Sequence, residues 1–307
     1  MQATVYRSTG SWYILKNSDG EFVNARLKGK FKIKGLTSTN PIAVGDIVDI
    51  DQDAAEGNLV ISKIYDRRNY INRISPHNAN LHHIIAANLD QTLLFATLRD
   101  PKTSFGFIDR FLVTADAYNV PAIIVFNKTD LLEPKDEEKF LIAKKNYETI
   151  GYKIMRMSLE KNSGVDEVKA LLKDKTTLLS GHSGVGKSTF INHVLPERVL
   201  RTQEVSDWSG KGLHTTTFAE MFDLPFGGII IDTPGIREMG IVNMRKDELA
   251  KYFPEMRAVM NNCKFNNCVH TNEPGCAVKK GVNDGIISEE RYISYLTIRD
   301  SIEVKSY

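Results

Sequence analysis

Gly181-His182-Ser183-Gly184-Val185-Gly186-Lys187-Ser188 has the spacing G-x-x-x-x-G-K-[ST], a pattern suited to holding phosphate. Glycines let the backbone wrap close to anionic oxygens, successive amide N–H groups point inward, and a helix opening at the loop's end adds positive potential. Lys187 is then placed to reach β- and γ-phosphates and Ser188 to put its hydroxyl on Mg²⁺, with Thr189 beside it in the nucleotide-facing set. The strand-like TTLLS before the loop and the helix-like STFINHVL after it supply the context the motif requires. Asp232-Thr233-Pro234-Gly235 ends the apolar run GGIIID. There Asp232 is placed to hold Mg²⁺ and Gly235 to offer its N–H to a γ-phosphate, which makes the following loop sensitive to that phosphate. Alone, DTPG is as readily an ordinary turn after a buried strand.

Asn127-Lys128-Thr129-Asp130 follows the apolar run AIIVF. An Asp carboxylate beside a purine accepts from both the ring N–H and the exocyclic amine of guanine, whereas adenine offers no such donor pair and leaves the carboxylate unpaired. Asn127 and Lys128 brace the loop and cover the base, and backbone N–H groups near Ser158 are placed to meet the guanine carbonyl. Standing alone, NKTD is also compatible with a polar turn. The stretch Gly210-Lys211-Gly212-Leu213-His214-Thr215-Thr216-Thr217 suits a switch loop, with Thr216, or failing it Thr215, closing over Mg²⁺ and γ-phosphate. Ile236 stands where many GTPases carry a water-positioning glutamine, so unaided hydrolysis is expected to be slow. His214 is a replacement candidate because imidazole can orient or deprotonate water near neutral pH. As a lone histidine it is equally a loop residue without catalytic duty.

Cys263-x4-Cys268-x-His270-x5-Cys276 gathers three thiolates and an imidazole in one short stretch, and it contains every cysteine of the chain. That set suits one tetrahedral Zn²⁺ with all four positions closed, a structural ion; the bland alternative is three reduced thiols and an incidental histidine. Arg26, Lys28, Lys30, Lys32 and Lys34 alternate with Ala25, Leu27, Gly29, Phe31 and Ile33. If extended, the five cations share one face at roughly 6.6 Å intervals and could follow a nucleic-acid backbone, or could form only a solvated strand face.

These residues need a frame. Residues 1–72 read as short strands broken by turns, including a hairpin at Asp19-Gly20, and predict an all-β barrel of the OB type. Residues 73–243 alternate apolar strands with amphipathic helices, which predicts a parallel α/β sheet with the nucleotide at the strands' carboxyl ends. Residues 244–307 become helical and loop-rich, hold the cysteine cluster and close with a helix from about Ser288 to Ile302. The 307 residues, with 42% hydrophobic, 25% charged and a net charge of +2, are those of an ordinary globular protein and by themselves name no partner. No apolar run approaches the roughly 18 residues a membrane helix needs, and the N-terminus lacks a signal-peptide layout, so a cytoplasmic protein is expected.

The order of the motifs is inverted: NKTD precedes the phosphate loop, whereas in most GTPases it follows. The core therefore resembles a circularly permuted GTPase, an arrangement that domain anatomy tolerates because termini lie at the surface and often close together. With its barrel, GHSGVGKS, LHTTT, DTPG and the Cys-Cys-His-Cys module, nearly the whole chain resembles the ribosome small-subunit-dependent GTPase A family of bacteria. The resemblance implies a monomeric enzyme that hydrolyses GTP to GDP and phosphate, binds the small ribosomal subunit and its rRNA, acts in late maturation and is stimulated by the subunit. It further implies that His214 is catalytic, acting with Lys187 and Thr216. Where that family carries glycine, a basic residue, His and three threonines, this chain has Leu213 before His214. Two other readings keep parts of the picture: a permuted GTPase acting on the large subunit or another RNA, and a nucleotide-gated RNA-binding module with little catalysis.

Overall fold

The computed structural model describes residues 1–10, 12–27, 41–53, 57–75, 78–196, 219–233 and 244–302. The first five strands are β1 (Gln2–Ser8), β2 (Trp12–Asn17), β3 (Phe22–Leu27), β4 (Ile47–Gln52) and β5 (Leu59–Ile64). They pair in the order β1-β2-β3-β5-β4 and β4 returns to β1, with β3 and β5 parallel and the other pairs antiparallel. The result is a closed five-stranded, OB-like barrel, which leaves no unpaired edge. Period-two alternation explains it: Val5, Leu15, Ala25, Val48 and Ile61 are fully buried inside while most of their neighbours are more exposed, Tyr6 and Val60 being buried as well. Asn17 builds the first hairpin as the sequence predicts, its Oδ1 accepting from the N–H groups of Asp19 (3.0 Å) and Glu21 (2.8 Å). Of the alternating cationic stretch, Arg26 is exposed beside buried Ala25 on β3; Lys28, Lys30, Lys32 and Lys34 lie outside the described residues.

A two-stranded ribbon that the sequence reading passes over, β6 (Tyr70–Ser75) and β7 (Asn78–Ala87), leads into the core. The core consists of β8 (Gln91–Ala96), α1 (Phe105–Ala117), β9 (Ala122–Phe126), α2 (Pro134–Thr149), β10 (Lys153–Arg156), α3 (Val165–Leu172), β11 (Thr176–Ser180), α4 (Lys187–Val194), β12 (Glu220–Asp223) and β13 (Ile229–Asp232). Its sheet runs β10-β9-β8-β11-β13-β12, parallel except for β12. All six residues of β8 are buried, as expected of a strand covered on both faces. α1 and α2 pack on one face through Phe111, Leu112 and Phe140, and α3 and α4 on the other through Val168, Phe190 and Ile191.

The barrel and the core share one sheet. β1 pairs with β12 at Arg7 and Glu220, and Asp223 accepts from the Tyr6 hydroxyl (2.9 Å) and the Lys16 ammonium (2.7 Å).

The C-terminal part contains 3-10 turns at Leu249–Tyr252 and Met260–Asn262 and helices α5 (Pro254–Val259), α6 (Ala277–Asn283) and α7 (Glu289–Ser301). Ser288 caps α7, accepting from the Arg291 N–H. Its apolar side packs Phe253, Met256, Val278, Tyr295 and Ile298 around Val113 of α1. A buried ion cluster sits at the same joint: Arg291 on α7 donates to Asp109 on α1 (2.6 Å) and to Glu255 on α5 (2.7 Å). Burial pushes the Arg291 pKa down, but the two carboxylates outweigh it and raise it above the ordinary arginine range. No helix among the described residues is long and apolar enough to cross a membrane.

Candidate nucleotide site and metal centre

β11 lies between β8 and β13, so the loop at its carboxyl end emerges at the middle of the parallel sheet. The loop can turn there only with glycines. Gly181 has φ +138° and a Cβ on it would lie 2.3 Å from the Phe95 carbonyl oxygen; Gly186 has φ +96° and a Cβ would lie 2.2 Å from the Asn127 amide nitrogen. Val185 is buried beneath the loop, while Ser183, Gly184, Ser188 and Thr189 are exposed. The Lys187 ammonium turns back into the loop, donating to the carbonyls of Gly181 (2.6 Å) and His182 (2.8 Å). Burial lowers its pKa to about 8, partly offset by the nearby Asp232 carboxylate. Asp232 ends β13, next to β11, and is itself buried; Thr233 after it donates to Leu179 (3.3 Å).

The NKTD loop reaches this cradle directly. Asn127 follows β9 and its amide donates to the Val185 carbonyl inside the phosphate loop (2.8 Å), while its Oδ1 is buried with no partner among the described residues. An acceptor left open at this joint fits a site completed by a ligand. Lys128 takes the left-handed conformation, φ +58°, and its ammonium donates to the Asp100 carbonyl (2.6 Å). Asp130 sits in a short 3-10 turn, Thr129–Leu131, and accepts from the Ser158 hydroxyl, which orients it; the Thr129 hydroxyl is tied to the Met157 carbonyl (3.1 Å). The loops after β9 and β10 thus hold one another, and the first of them holds the phosphate loop. His214, Thr216 and Gly235 lie outside the described residues. The sequence reading overlooked the β8–α1 connection, which supplies Asp100 under Lys128 and Pro101 against Gly184, 3.3 Å from where a Cβ would stand. No motif spacing marks it, because its contacts are purely tertiary.

Some distance along the chain the four predicted zinc ligands converge. The ligand atoms of Cys263, Cys268, His270 and Cys276 all lie within 4.8 Å of one another. A tetrahedral ion with Zn–S of about 2.3 Å and Zn–N of about 2.0–2.1 Å separates sulfur from nitrogen by about 3.5 Å. The His270 Nδ1 is 3.6 Å from the Cys263 Sγ and 3.5 Å from the Cys276 Sγ. The N–H groups of Ala277 (3.3 Å) and Lys279 (3.4 Å) point at the Cys263 and Cys276 sulfurs, as suits thiolates. Glu273 folds the intervening loop by accepting from Val269 (2.7 Å) and Thr271 (2.8 Å), and the hydroxyls of Tyr292 and Tyr295 hold the carbonyls of His270 and Val269 (2.7 and 2.8 Å). The donor set and its spacing fit a structural zinc.

A family profile described as RsgA GTPase matches residues 64–242, and one described as RsgA N-terminal domain matches residues 2–59. The chain belongs to the RsgA GTPase family. It is a GTP hydrolase, and the family implies GTP, GDP and Mg²⁺ at the site described above. Among RsgA proteins it is 50% identical to the small ribosomal subunit biogenesis GTPase of Flavobacterium psychrophilum over 300 residues, covering 97% of this chain and 92% of that one. It is 49% identical to that of Phocaeicola vulgatus over 308 residues, covering 100% and 99%. The crystal structure of YjeQ from Thermotoga maritima superposes with a TM-score of 0.78 at 32% identity, covering 97% of each chain. That of YloQ, described as a circularly permuted GTPase, gives 0.74 at 27%, covering 99% of this chain and 96% of that one.

The zinc ligands fall beyond both RsgA profiles but within the span shared with the full-length relatives. Metal analysis of purified protein is expected to find one zinc per chain. Chelation is expected to accelerate amide exchange across residues 263–276 and at Tyr292 and Tyr295, leaving exchange in β11 unchanged. Metal-free protein with the same protection would overturn the assignment.

Proposed function

We propose that this chain acts in the late maturation of the small ribosomal subunit, binding the subunit and its rRNA as a cytoplasmic monomer and hydrolysing GTP in response. The observation that carries this is the hydrogen bond from Asn127 to Val185, which ties a guanine-reading loop to a phosphate cradle encoded well downstream. Relatives that match nearly end to end carry the name small ribosomal subunit biogenesis GTPase. The modules are residues 1–72 for RNA, 73–243 for GTP and 244–307 for zinc.

In this reading Asp130 accepts from the two guanine N–H groups, Ser158 holds Asp130 and presents its backbone to the guanine carbonyl, and Lys128 and Asn127 brace the base loop. The N–H groups of residues 181–189 surround the phosphates, and Lys187 leaves the Gly181 and His182 carbonyls to meet the β- and γ-oxygens. Ser188, Asp232 and Thr216 would hold Mg²⁺, whose charge would offset that building on the phosphate oxygens. Gly235 senses the γ-phosphate. His214 orients the attacking water in place of the missing glutamine, and subunit contacts through the barrel and zinc module order the loop that carries it.

Phosphate release from GTP, followed with isolated small subunits, large subunits or neither, tests the proposal. Small subunits alone are expected to stimulate turnover, by roughly a hundredfold or more if they bring His214 into position. Equal rates in all three conditions would refute it.

A further inference from the structure

The RsgA-type motifs leave α1 without a role, yet its first turn touches the phosphate loop. The Phe107 ring lies against the His182 imidazole with centroids 3.7 Å apart and planes inclined by 31°. His182 is the second residue of the cradle, and its carbonyl shares the Lys187 ammonium with Gly181. We propose that Phe107 is a positioning residue for the phosphate loop, acting through His182.

The helix that carries Phe107 is fixed at several points. Ser104 caps it, accepting from the Phe107 N–H. Two residues on, Asp109 is buried in the Arg291 cluster and also accepts from the Tyr147 hydroxyl (2.7 Å). Arg110 donates to Ser301 (3.0 Å), and Pro101, just before the helix, lies against Gly184. A loop with left-handed glycines at 181, 184 and 186 has many backbone alternatives when no ligand fills it. Of its side chains, Val185 is buried in the core and His182 is clamped by an aromatic ring, while Ser183 is exposed. Losing the ring returns entropy to the unliganded loop, and a nucleotide must then supply the ordering. The cradle grips the β-phosphate common to GDP and GTP, so both bind more weakly by the same factor. Uniform weakening raises KM and leaves kcat at saturation unchanged.

This rests on residues 181–188 being the phosphate cradle, and GDP binding to the unaltered protein tests that separately: no binding there refutes the cradle itself. Fluorescent GDP is titrated into the full-length protein, Phe107→Leu, His182→Ala, the double variant and Phe107→Tyr, with steady-state GTP turnover in parallel. Phe107→Leu and His182→Ala are each expected to raise the GDP Kd and the GTP KM by roughly three- to tenfold, the range of an aromatic pair. The double variant is expected to be no weaker than the worse single one, and Phe107→Tyr, which keeps the ring, to bind as the unaltered protein does. Unchanged affinity in Phe107→Leu, multiplying effects in the double variant, or equal losses in Phe107→Tyr and Phe107→Leu would each overturn the proposal. If Phe107→Leu does not fold, His182→Ala and Phe107→Tyr decide: weakening by the first and not the second supports it, and any other result overturns it.

Discussion

Asp130→Asn protein is expected to lose its preference for GTP, binding it at least about a hundredfold more weakly, because in the proposed reading the carboxylate that accepts from two guanine N–H groups becomes half donor. The exchanged amide presents an N–H where guanine presents its amine, so two donors face one another. Xanthosine triphosphate carries a carbonyl oxygen at that position, and its affinity is expected to rise as that of GTP falls. The substitution is nearly isosteric, and Asp130 is exposed in its 3-10 turn, so folding is not in question. The Ser158 hydroxyl that now donates to Asp130 finds the amide oxygen instead. Competition titrations with GTP, ATP and xanthosine triphosphate on both proteins check this. Unaltered GTP-over-ATP selectivity would show that another residue reads the base.

Arg291→Met is expected to destabilise the protein by about 3–5 kcal/mol, because it strands the carboxylates of Asp109 and Glu255 in the joint between α1, α5 and α7. Both partners are buried, at 1% and 8% exposure, so water cannot replace the guanidinium. The guanidinium also lies over the Phe253 ring, 4.6 Å from its centroid, and that contact disappears too. Lys280→Ala, which removes an exposed ion pair between α6 and Asp284 just past its end, is expected to cost no more than about 0.5 kcal/mol. Urea unfolding of the two variants at neutral pH separates the cases. A deficit in Arg291→Met no larger than in Lys280→Ala would mean that the cluster contributes nothing to holding the C-terminal helices on α1.

Much of this site is legible in the sequence, because the phosphate-loop and NKTD motifs each depend on residues close together in the chain. GHSGVGKS needs only a strand before it and a helix after it, and NKTD only a strand; β11, α4 and β9 are where those motifs require them. Every cysteine fell within one ligand set, and the barrel announced itself by period-two alternation and the Asp19-Gly20 turn. Other features were illegible for physical reasons. The ribbon Tyr70–Ala87 is interrupted by Pro76 and several asparagines, so its pattern is weak, and β12 has only four residues with charged ends. Asp109, Glu255 and Arg291 are ordinary surface types as sequence; only the packing of α7 against α1 encloses them. The Phe107–His182 contact likewise joins two residues whose own neighbourhoods give no hint of each other.

Because β1 pairs with β12, the barrel is tied to the catalytic half through backbone as well as side chains. Tyr6, Arg7 and Lys16 grip the short strand that begins just after the threonine-rich segment ends, and that strand is stitched to the one bearing Asp232. A load on the barrel's outer wall therefore has a direct route through that short strand to the one that ends in Asp232.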